Sequence, residues 1–300
     1  MSVPTNRFTL LSAGHIELSI ERSVLLYLFV AGNFFFLTID VSLSHMVSGF
    51  RNPYTLVPML SGPLGGLVAL YFAFVRRPRT LARLIYFLVM LAEGAVGVMG
   101  AAFHWYKALS PETRQLSWQF MVFSAPLLAP LSFSGIACVG LAALLPEEQP
   151  RRFQVPGLAV GGARSKSRVL LWLVALGLAG ATLSALFDHA RGTYIFYEWI
   201  PIAAGIFGTI VVAYHALVDR PIGEDVATLV ITFIGLAIVG VLGFGFHLGA
   251  DVTPRGYISW QRMLTFAPPL VPFIFTNLAV LGAIATLEPE IEASASPAGT

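Results

Sequence analysis

Two stretches of the chain, Gly97 to His104 (GVMGAAFH) and Gly240 to His247 (GVLGFGFH), are near copies of each other. From Tyr54 to His104 the same spacing of 143 positions (97 to 240) holds without a gap. It pairs Pro58 with Pro201, Gly62 with Gly205, Gly65 with Gly208, Tyr71 with Tyr214 and Arg77-Pro78 with Arg220-Pro221. One residue is then lost, and the match resumes as Trp118-Gln119-Phe120-Met121 against Trp260-Gln261-Arg262-Met263. It continues through Ala125-Pro126 and Pro130 against Ala267-Pro268 and Pro272. A tandem duplication of this extent constrains the fold more than any single motif, because whatever the first half forms the second must form too.

The solvent of that fold follows from composition. Charged residues make up 11% of the chain and the mean hydropathy is +0.77, whereas a soluble domain carries about 25% charged residues. Eight apolar runs occur, near Val24 to His45, Tyr54 to Val75, Leu84 to His104, Trp118 to Leu145, Val169 to His189, Tyr197 to Val218, Val226 to His247 and Trp260 to Leu287. Each is long enough to cross about 30 Å of hydrocarbon at 1.5 Å per residue. Backbone groups in lipid need partners within the chain, so these runs are helices. The expected fold is an all-α polytopic membrane protein of eight transmembrane helices in two tandem four-helix repeats. Residues 1–23 form a cytoplasmic arm, 24–146 the first repeat, 147–168 a Pro- and Gly-bearing cytoplasmic linker, 169–288 the second repeat and 289–300 a disordered tail.

With the amino terminus inside, Arg and Lys concentrate in the arm, the linker and the loops at Arg76–Arg83 and Arg220. Arg51, Lys107, Arg114, Arg191, Arg255 and Arg262 fall outside. This positive-inside bias puts both termini in the cytoplasm, as in a bacterial inner membrane. Trp105, Trp118, Trp199 and Trp260 mark the outer interface. An even number of helices per half makes the repeats parallel, related by an axis along the membrane normal. The partner is the bilayer, with other membrane or redox subunits as further candidates. A net charge of +2, spread between apolar runs, gives no footing for nucleic acid. Cys138 is the single cysteine, so an internal disulfide and a thiolate cluster are excluded.

Four histidines, His45, His104, His189 and His247, end odd-numbered helices at similar depth. First and third helices of a bundle wound in sequence order are diagonal neighbours, so each half can turn a histidine pair inward. Neutral imidazole is the commonest side-chain metal ligand. Two per half, backed by Gly97 and Gly100 or Gly240 and Gly243, suit a haem b with room for its macrocycle. Eight helices in two halves, each with a histidine pair, are similar in outline to haem A synthase. That family's Glu-x-x-His motif is missing here and the histidines stand on odd-numbered helices, so its activity is not carried over. Copper is the second candidate, with the repeat equivalents Met121 and Met263 as soft donors, and zinc a third. Asp188 and Glu198 are candidate imidazole partners, and Asp40 and Glu93 candidates for a proton path.

Each of these signals has a plainer explanation. A histidine at a helix end can simply reach interfacial water. The Gly-x-x-Gly pairs can serve close helix packing. Pro126, Pro130, Pro268 and Pro272 bend the fourth and eighth runs and release carbonyls, which either form a kink or line a cavity below the histidines. The metal or haem reading competes with a permease using the interface between repeats, and with a non-catalytic subunit that anchors a partner. Of the midmembrane polar residues, Asn33, Asp40 and Glu93 all lie in the first half, and the repeat equivalent of Glu93 is Leu236. No Gly-x-Ser-x-Gly, His-Glu-x-x-His or phosphate-binding glycine loop is present.

Overall fold

The computed structural model describes residues 6–10, 15–47, 49–75, 77–109, 115–123, 125–145, 153–155, 158–160, 163–192, 194–218, 222–265 and 268–289. The chain is overwhelmingly helical. The first half gives α1 (Arg22–Met46), α2 (Leu56–Phe74), α3 (Thr80–Lys107), α4 (Trp118–Phe123) and α5 (Leu131–Ala143). The second gives α6 (Ala163–His189), α7 (Trp199–Leu217), α8 (Gly223–Ala250), α9 (Trp260–Thr265) and α10 (Phe273–Thr286). Element for element the lengths run 25, 19, 28, 6 and 13 residues against 27, 19, 28, 6 and 14. Helix α6 begins inside the segment read as linker. The tail beyond Pro289 lies outside the described residues.

Among the described residues six helices are long and apolar enough to cross a membrane, which is the signature of a membrane protein. The expectation of eight continuous spans is corrected at the fourth and eighth runs. Each is split into a six-residue helix and a short apolar helix, α4 with α5 and α9 with α10. The cause is proline, which lacks an N–H and drives its ring against the carbonyl four residues back. Pro126 and Pro130 break the first run, and Pro268, Pro269 and Pro272 the second. Pro130 and Pro272 then stand as N-caps of α5 and α10. At about 1.5 Å per residue, α5 and α10 each cover only about two thirds of the hydrocarbon thickness.

The bundle turns large apolar side chains outward. Leu60 is 76% exposed, Phe74 75% and Ile231 68%. A soluble protein would not leave so many in contact with water, whereas lipid is their natural neighbour. The packed interior is made of Leu26, Val30, Phe34, Tyr86, Met90 and Phe133 in the first half, and Leu170, Val174, Leu178, Leu229, Phe233 and Phe275 in the second. Helices α1 and α3 both pack on α2 and α5, and α6 and α8 both pack on α7 and α10. Each half is therefore a ring with its first and third long helices facing across it.

The halves meet through α1 against α10 and α5 against α6. At the first contact Asn33 and Asn277 exchange amide hydrogen bonds, the Asn33 amide donating to Asn277 Oδ1 at 3.1 Å and the Asn277 amide donating back. At the second, buried Lys166 donates from Nζ to the carbonyls of Ala143 and Leu145, both at 3.2 Å. A lysine here satisfies carbonyls that the end of α5 leaves without helical partners. The first and last described strands pair with each other near this face. Strand β1 (Asn6–Leu10) pairs antiparallel with β2 (His15–Leu18) and with the strand Leu287–Pro289, which follows α10 directly.

The amide pair should couple the halves measurably. Replacing Asn33 by Leu is expected to lower stability by about 1 kcal/mol, the scale of hydrogen bonds between membrane helices. Adding Asn277→Leu to it should cost little more, because the partner is already lost. Unfolding of both single variants and the double variant in detergent micelles checks this, and strict additivity would contradict it.

Candidate functional site

The four histidines come together as two pairs. His45 at the end of α1 and His104 at the end of α3 have ring centroids 6.5 Å apart, and His189 at the end of α6 and His247 near the end of α8 are 6.3 Å apart. In each pair the histidine of the third long helix is fixed in the same way. His104 Nδ1 donates to the Pro126 carbonyl at 2.6 Å, and His247 Nδ1 donates to the Pro268 carbonyl at 2.9 Å. A carbonyl can only accept, so both rings carry their proton on Nδ1. The lone pair is then on Nε2, the form in which a histidine binds metal. His45 Nδ1 lies 3.0 Å from the Val41 carbonyl and likewise acts as donor there. His189 has a carboxylate partner instead, with Nδ1 3.6 Å from Glu198 Oε1.

The glycines explain how each ring reaches its carbonyl. One face of α3 descends from His104 through Gly100 to Gly97, and the broken run lies against it. A Cβ built on Gly100 would meet the Pro130 ring at 2.9 Å, and one on Gly97 would lie 2.6 Å from the Ser134 nitrogen and 2.8 Å from the Pro130 carbonyl. In the second half Gly243 meets Pro272 at 2.7 Å, and Gly240 meets the Thr276 nitrogen at 2.8 Å and the Pro272 carbonyl at 2.9 Å. Ser134 and Thr276 tie the same seam by donating to Gly94 and Ala237 carbonyls, at 2.8 and 3.0 Å. This face, which the sequence offers to a flat macrocycle, is filled by protein. Its glycines bring the proline break close enough for the histidine one turn above to close on it.

The remaining candidates are dispersed. Glu198 sits in the short turn Phe196–Glu198 ahead of α7, accepts from the Ile195 N–H at 3.0 Å and reaches His189. Asp188 pairs with Arg191 at 3.2 Å. Met121 and Met263 are half-buried on α4 and α9. Asp40 is half-buried on α1 below His45. Glu93 is 1% exposed on α3, where Ser61 donates to its Oε2 at 3.0 Å and Gly65 gives it room. It fills the place that Leu236 takes against Gly208. Among the described residues no group of three or more His, Cys, Asp and Glu side chains is arranged to hold a metal ion.

Sequence reading leaves out the two partner carbonyls, Pro126 and Pro268, although the repeated Ala-Pro dipeptide marks their place. It also uses Arg51 and Lys107 only as charges that set orientation, whereas both line a cavity beside His45. The chain matches no family model, no curated protein and no solved structure in the comparisons made.

The seam has a direct test. Gly97→Ala and Gly240→Ala each push a methyl group into backbone atoms, which cannot yield as a side-chain tip would. Each is expected to cost about 1–3 kcal/mol of stability. Gly235→Ala on the same helix, with open space around it, should cost nothing in thermal unfolding of the purified protein.

Proposed function

We propose that the chain is an integral membrane metal- or haem-binding protein, built as two tandem repeats of four membrane-embedded segments in parallel orientation. Each repeat carries one histidine-pair centre at the extracytoplasmic face, and the work is redox or metal handling. The observation that carries this reading is the repeated pair geometry. Two imidazoles trans on one metal, each bound at about 2.0–2.1 Å, hold their ring centroids a little over about 6 Å apart, and the two separations are 6.5 and 6.3 Å. The separation recurs in both halves, as a site repeated with the duplication requires.

The donor set orders the candidates. Two imidazoles suit haem b, whose macrocycle supplies the other four nitrogens, or copper, which accepts few and soft ligands. Zinc wants four protein ligands or three with water and is the least suited. Nδ1 donation to a carbonyl raises the basicity of Nε2 and fixes the ring, the usual outer support of a metal-bound histidine.

Optical spectra of the detergent-purified protein, oxidised and reduced, with metal analysis on the same sample, test this reading. A Soret band, or about two copper ions per chain, is expected. His104→Ala and His247→Ala should each remove about half of the signal, and the double variant nearly all of it. A protein that stays colourless and metal-free after supplementation with haem and copper would overturn the proposal.

A further inference from the structure

The outer ends of the two halves differ in charge where they otherwise correspond. Beside His45 a cavity of about 530 Å³ opens at the surface, lined by His45, Arg51, Asn52, Thr55 and Lys107 among others. Arg51 and Lys107 are exposed on its rim, and no carboxylate stands among its described lining residues. The polar wall is ordered: Asn52 caps the turn Pro53–Thr55 by accepting from the Tyr54 N–H at 3.0 Å, and Thr55 donates back to the Asn52 carbonyl at 2.6 Å. Helix α2 starts from this wall, so its amino-terminal partial positive charge adds to the two cations.

The second half places its charges differently. Lys107 is the last residue of α3, and the last residue of α8 is Ala250. In the second half the cation at this helix end comes from α9 instead, where Arg262 donates from its guanidinium to the Ala250 carbonyl at 2.7 Å and complements the carboxyl-terminal dipole. Asn52 and Thr55 correspond to Ile195 and Glu198 at the matching turn before α7, and Arg51 corresponds to Tyr194. The second half thus has no cation at the positions of Arg51 and Lys107; its Arg262 is taken by the Ala250 carbonyl, its Arg191 by Asp188 and the Val122 carbonyl, and its added carboxylate, Glu198, by His189.

We propose that the cavity formed by Arg51, Asn52, Thr55 and Lys107 is a binding site for an oxyanion, a phosphate or carboxylate group, and that only the first half of the protein has one. Arg51 offers a planar fork and Lys107 a mobile point charge, the two donor types that hold such anions. Asn52 and Thr55 frame the floor, and His45 forms the side toward the histidine pair. The anion is either a free solute of the outer solution or the headgroup of an anionic lipid, since the site lies at the membrane interface. The assignment stands on the cavity and its charges and does not require a metal between the histidines.

The test uses the full chain in nanodiscs of zwitterionic phosphatidylcholine, titrated calorimetrically with inorganic phosphate and with succinate. Saturable binding of either is expected, weakened about tenfold or more in the Arg51→Gln/Lys107→Gln variant and unchanged in Arg255→Gln, which removes an exposed outer cation of the second half. A parallel arm uses nanodiscs containing phosphatidylglycerol. Retention of that lipid by the native chain and its loss from the double variant would assign the site to a headgroup. If phosphate, succinate and phosphatidylglycerol all fail to distinguish the native chain from the double variant, the site is overturned. Optical spectrum and metal content are read on the same samples, so failure of the anion site is separable from failure of the metal reading.

Discussion

In hydrocarbon a backbone carbonyl has no water to turn to, and each one left unpaired costs several kcal/mol. The structure is arranged around that requirement. Among the described residues the long helices meet most of it within themselves, Pro63 inside α2 being the exception. The two proline-broken runs cannot, because Pro126 and Pro130, and Pro268 and Pro272 in the second half, remove the donors that would have closed the helix. The carbonyls of Pro126 and Pro268 are instead taken by the Nδ1–H groups of His104 and His247. The break and the histidine are thus one device, in which each supplies what the other lacks. The glycines one and two turns below set the distance at which it works.

That device also fixes the chemistry open to the rings. A histidine whose Nδ1 is committed to a carbonyl presents Nε2 as a base or a ligand, and presents it in one orientation. Its partner across the bundle, His45 or His189, comes from the diagonal helix. The pair can form only when the four-segment ring is closed. Stability of the ring and integrity of the proposed centre are therefore coupled.

The halves keep the scaffold and differ in what is hung on it. Asn33 and Asn277 join α1 to α10, while the matching positions on α6 and α5, twelve residues before His189 and five after Pro130, are Gly177 and Gly135. One seam is held by amides and the other has no side chains at that level. Glu93 against Leu236 and the cationic first mouth against the second follow the same pattern. Duplication preserved the parts that satisfy backbone and packing, and left the polar decoration free to diverge.

Much of this was legible in the residues. Apolar length and the lack of charge determined a helical membrane protein, since lipid admits few other solutions for such runs. The repeat determined that the two halves would correspond, and the helical period placed Gly97, Gly100 and His104 on one face. The prolines announced a disturbance in the fourth and eighth runs. What they did not announce is that the disturbance is a complete break, because proline in a membrane helix is often accommodated as a kink. The use of the glycine face, the tie from imidazole to proline carbonyl, the amide pair 244 residues apart in sequence and the cationic cavity were decided only by the tertiary structure. Periodicity along one helix says which side chains share a face, but which neighbour covers that face depends on how several helices close on one another in space.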